Sequence, residues 1–63
     1  MPWSKNNYPD SMKNLSPDVR NKAIEIANAL LEEKNMDEGG AIAIATAKAE
    51  EWAENRGKPV RKD

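Results

Sequence analysis

The chain has 63 residues, a third of them charged, and a net charge of −1. That length allows one domain with one small core. With no cysteine and no histidine, disulfides, thiolate metal sites, the commonest zinc ligand and the usual general base are all excluded.

The mixed charge is not the footprint of a nucleic-acid or membrane-surface binder. The longest apolar run, Ala41 to Ala45, is far too short to span a bilayer. Met1 to Asn7 contains no apolar signal-like core, so no secretory signal is expected and a cytoplasmic location follows.

Residues 1–8 read as an extended arm. Trp3 and Tyr8 are two of its few apolar side chains. Aromatics in such an arm pack onto a core that they help to cover; the competing reading is a pair of exposed recognition residues. Pro9 followed by Asp10 suggests a short helical turn over about 9–13. Met12 and Leu15, three apart, would point the same way.

Ser16-Pro17-Asp18 is a helix start. Serine is a capping residue, proline suits the first helical position, and aspartate complements the positive end of the dipole. The helix is expected over about 17–34. At about 100° per residue, Val19, Ala23, Ile26, Ala27 and Leu30 share a sector, and Ile24 and Leu31 widen it. Asn21, Glu25, Asn28 and Glu32 fall opposite. Asn35 suits the left-handed position that closes a helix.

Asp37 caps a second helix over about 38–56, and Met36 before it can act as a staple on Ala41. Gly57 and Pro59 stop that helix. The alternation in Ala41-Ile42-Ala43-Ile44-Ala45 also fits a strand. A lone strand has no ladder partner, however, and alanine favours helix. Residues 1–56 are therefore expected to form one all-α domain: an antiparallel two-helix hairpin covered by the arm. Residues 57–63 are expected to be a disordered tail.

On the second helix Ala41, Ala45, Ala49, Ala53, Ile42 and Trp52 form one face. Ile44 lies about 200° from Ile42 and needs separate cover. The arm is the favoured cover and a second copy of the chain the alternative. Lys48, one turn before Trp52, invites a cation–π contact. Trp3, Tyr8, Ile44 and Lys48 are thus the candidate interaction surface.

Gly39-Gly40 bares amides at a helix start, which suits anions. Asp37 and Glu38 put negative charge at the same spot, so close packing of the turn is the better reading. Glu32-Glu33 and Glu50-Glu51 read as solvated faces, and no serine or threonine has a basic partner of the kind nucleophilic catalysis needs. No catalytic residue, cofactor or metal is expected. A helix-turn-helix would need basic or amide side chains on its recognition helix, where this chain has Glu50, Glu51 and Glu54. Lys5, Lys13, Arg20 and Lys22 form a candidate basic patch, with Lys58, Arg61 and Lys62 in the tail.

Met1-Pro2-Trp3, Tyr8 to Leu15, Val19 to Leu30, Asp37-Glu38-Gly39 and Ala41 to Ala45 together resemble the YdaT-type N-terminal domain, found in small bacterial proteins. The resemblance covers about residues 1–56. It implies longer members with a second domain, which these residues lack, and it brings no activity. The YdaT-type pattern has a glycine in the turn and a basic residue where Gly40 stands. This chain has Lys34-Asn35-Met36 and Gly40 instead, so no role for that basic residue carries over. A fainter likeness is to the ChaB family, described as cation transport regulators. Those also open with Met-Pro and carry a later helix bearing alanine and tryptophan.

The expected function is that of a non-catalytic helical module binding a protein partner or a second copy of itself. A weak nucleic-acid-associated protein is the alternative.

Overall fold

The structure, a computed structural model, describes residues 3–60. A short 3-10 helix at Asp10–Met12 is followed by α1, Pro17–Lys34, and α2, Glu38–Asn55. No strand occurs among the described residues. The two long helices pack side by side as a hairpin, which is the all-α architecture the periodicity predicts.

The ends of the helices follow their local chemistry. Asn35 closes α1 in the left-handed conformation, with φ 58°, where asparagine is better tolerated than most residues. Its N–H and that of Met36 both donate to the Leu30 carbonyl, closing the last turn of the helix. The Asp37 carboxylate accepts from the Gly40 N–H at 3.1 Å, as an N-cap should. Met36 lies against the same first turn, with its methyl beside Gly40. α2 ends at Asn55, and Gly57 turns the chain at φ +68°.

Ser16 departs from expectation. It occupies the N-cap position of α1 but its side chain makes no capping bond. The hydroxyl instead donates to the Pro59 carbonyl at 2.8 Å, and the Ser16 N–H donates to the Val60 carbonyl at 3.0 Å. Lys58 adds an exposed ion pair with Asp18 at 3.2 Å. Residues 58–60 lie back across the start of α1. Residues 61–63 lie outside the described residues.

The core is asymmetric in size. α2 contributes Ala41, Ala45, Ala49 and Ala53, all fully buried. α1 contributes Val19, Ala23, Ile24 and Ala27, and the segment before it contributes Met12 and Leu15. Ile26, Ile42, Trp52, Tyr8, Trp3 and Val60 pack around this cluster. A row of alanines at every fourth position lets the helix axes approach closely. The bulk that fills the core comes from Met12, Leu15 and Val19, so the hairpin depends on the segment that precedes it.

The buried sector of α1 holds Val19, Ala23, Ala27 and Ile24 as expected and is shifted toward the Ile24 side. Ile26 and Leu30 are only partly buried, whereas Ile24 and Asn28 are buried. The helix periodicity places Asn28 among the polar residues on the outside, yet it is buried. The arm covers it, and that cover cannot be read from the helix periodicity alone.

Candidate interaction surface

The arm is held by Asn28. Its side chain is 3% exposed. Its Oδ1 accepts from the Trp3 N–H at 3.1 Å and its Nδ2 donates to the Trp3 carbonyl at 3.0 Å. One amide thus satisfies both backbone groups of one residue, as a neighbouring strand would. Beyond Trp3 the chain folds into a tight loop, with Ser4 and Asn7 exchanging backbone bonds of 2.9 and 3.2 Å. Between arm and α1 lies a recess of about 290 Å³, lined by Trp3, Ser4, Lys5, Asn21, Ile24, Glu25 and Asn28. That is just below the usual range of small-molecule pockets, and the Asn28 amide inside it is already engaged by Trp3.

The second aromatic of the arm is fixed by a cation. The Arg20 guanidinium stands 4.8 Å from the centroid of the Tyr8 ring. Its Nη1 donates to the carbonyls of Lys13 and Leu15 at 3.4 and 3.3 Å. Arg20 therefore ties the arm, the turn after the 3-10 helix and α1 together. Its Nε is buried without a hydrogen-bond partner.

Trp52 is also met by cations, but Lys48 is not among them. Arg56 lies 4.9 Å and Lys22 5.8 Å from its ring centroid. The expected Lys48 contact is thus replaced by Arg56, one turn later on the same helix, and by Lys22 across the hairpin. Positions four residues to either side of Trp52 are equally close on a helix, so spacing alone could not choose between Lys48 and Arg56. Lys22 also pairs with Glu25 at 3.0 Å.

These contacts redistribute the candidate residues. Trp3 and Tyr8 are packing residues, both half-buried against the core. Ile44 and Lys48 remain exposed on α2. The arm does not reach Ile44. It is anchored on α1 through Trp3, and Ile44 is the one large exposed hydrophobic side chain among the described residues, at 38%. The favoured expectation of cover by the arm is therefore corrected. The arm's hydrogen bonds go to Asn28 of α1. Ala43, Ala47, Lys48 and Glu51 are exposed around Ile44.

The basic patch is not a free cluster. Arg20 is engaged by Tyr8 and two carbonyls, and Lys22 by Trp52 and Glu25. Lys5 and Lys13 are exposed, and Lys58 is paired with Asp18. Arg61 and Lys62 lie outside the described residues. Among the described residues no three acidic side chains gather to hold a metal ion, and no helix is long and apolar enough to cross a membrane.

The fold and surface define a small all-α hairpin module braced by an N-terminal arm. In sequence it is 62% identical over 55 residues, 87% of this chain, to the uncharacterized protein YdaT of Bacillus subtilis (strain 168). Over that stretch the chain is YdaT-type. It spans only about a third of that relative's length, 36%. No protein-family model matches the chain, and no solved structure does. The likeness to the ChaB family rests on the sequence pattern alone.

Proposed function

We propose that this chain is a non-catalytic, cytoplasmic module that acts by binding a protein, either another chain or a second copy of itself. The observation that carries the reading is the exposed face of α2 around Ile44. It is apolar at Ala43, Ile44 and Ala47, and it lies on a helix whose alanine face is fully buried. A 63-residue chain has little apolar surface to spare for water when its core is this small.

Sedimentation of the wild type and of Ile44→Glu at several concentrations, together with affinity capture from lysate, tests the reading. The expected outcome is self-association or a retained protein for the wild type, lost in Ile44→Glu with an unchanged thermal midpoint. A strictly monomeric wild type that retains nothing removes the support for this reading. The engagement of Arg20 and Lys22 by ring and carboxylate groups weighs against a nucleic-acid surface.

A further inference from the structure

The segment after α2 is held by contacts of a different kind from those of the hairpin. Its anchors include the Ser16 N–H to Val60, the Ser16 hydroxyl to Pro59, the Lys58 N–H to the Ala53 carbonyl at 2.9 Å, the exposed Lys58–Asp18 pair and the packing of half-buried Val60 on the core cluster. Ser16 itself is only 8% exposed. It sits in extended backbone, φ −63° and ψ 156°, so its N–H cannot be satisfied within α1 and points to a neighbouring chain segment. Pro59 and Val60 supply two consecutive carbonyls to one residue. One of these bonds comes from the Ser16 backbone and the other from its hydroxyl, so a single residue holds the returning segment. The hinge is also present. Gly57 has φ +68°, and a side chain built there would touch nothing within 4 Å.

We infer that residues 58–60 form a latch that opens beyond Gly57, releasing the Lys58 N–H from the Ala53 carbonyl, while the helical hairpin stays folded, and so uncovers Ser16, whose partners in the closed state are the chain's own Pro59 and Val60 carbonyls. Among the described residues, two bonds to Ser16, one from the Lys58 N–H to the Ala53 carbonyl, one screened ion pair and one half-buried valine are few contacts. Segments held this way open with much less free energy than a core helix. The inference does not depend on the surface around Ile44.

Native-state hydrogen exchange on the full chain reads the latch directly, because the Ser16 amide is protected by the Val60 carbonyl. The Ser16 amide is expected to exchange faster than the amides of Ala27 and Ala49, and faster still as salt rises. In Val60→Gly it should speed up by roughly five- to ten-fold, with Ala27 and Ala49 unchanged. Lys58→Gln should abolish the salt effect. Exchange of Ser16 in step with Ala27 and Ala49 would make the segment part of the global unit and overturn the latch. An unprotected Ser16 amide in the wild type would show that the closed state is not formed. Protection that grows with protein concentration would assign the occupant to a second copy's segment, and so would also overturn the latch.

Discussion

Asn28 is the residue on which the placement of the arm turns. It is buried, and both of its amide groups are spent on the backbone of Trp3. An asparagine is well suited to this because it carries a donor and an acceptor side by side. Replacing it with alanine removes two hydrogen bonds and leaves the Trp3 N–H and carbonyl near the apolar wall of Ile24 without partners. That loss costs about 1–3 kcal/mol. Asn28→Ala is expected to lower the thermal midpoint. It should also move the emission of Trp3, read in a Trp52→Phe background, toward that of a water-exposed indole. An unchanged Trp3 emission would mean that the arm is held by something other than this amide. Ser16 teaches a related lesson at the same scale. Its position before Pro17 reads as an N-cap, yet a hydroxyl in the extended conformation can donate as well as accept, and here it donates to a carbonyl from the far end of the chain.

At the scale of elements, both long helices were legible to within a residue. Their boundaries rest on local chemistry: Pro17 at the first helical position, Asn35 in the left-handed conformation, Asp37 on the Gly40 amide, and Gly57 after the last turn. The buried face of α2 was legible as well, because periodicity alone places Ala41, Ala45, Ala49 and Ala53 in line. What could not be read was which faces the irregular segments cover. The arm bonds to Asn28 and leaves Ile44 partly exposed, and residues 58–60 fold onto Ser16; both choices depend on hydrogen bonds between residues far apart in the chain. The alanine row carries a prediction of its own. Ala45 is fully buried at the helix–helix contact, while Ala43 is exposed. Ala45→Leu forces three extra carbons into the closest approach of the helices and is expected to cost more than about 1–3 kcal/mol, enough to unfold or rearrange the domain. Ala43→Leu, on the free face, should leave the thermal midpoint within a few degrees of wild type. Equal midpoints for the two variants would put the alanine row somewhere other than the interface.

At the scale of the whole molecule, stability rests on segments outside the hairpin. Of the largest fully buried side chains, Met12 and Leu15 precede α1, and only Val19 lies in a helix of the hairpin. α2 brings to the core mainly methyl groups, which permit close approach but bury little area each. The two helices alone would therefore enclose too little apolar surface to offset the ordering of 18 residues in each. Met12 is the sharpest test of this, because it belongs to a three-residue 3-10 turn and has no part in the helices. Met12→Ala removes a fully buried side chain, at a cost of about 2–5 kcal/mol. That is comparable with the whole net stability of about 3–5 kcal/mol that a core of this size supplies. The expected result is a large loss of far-ultraviolet helical signal at room temperature, although the substitution lies outside both helices and alanine is itself a good helix former. If the helical signal and thermal midpoint of Met12→Ala matched those of the wild type, the hairpin would be stable alone and the arm would be an accessory. If the signal collapses, the arm, the turn and the hairpin fold as one unit. The exposed face around Ile44 is then carried by a scaffold that includes every segment from Trp3 onward.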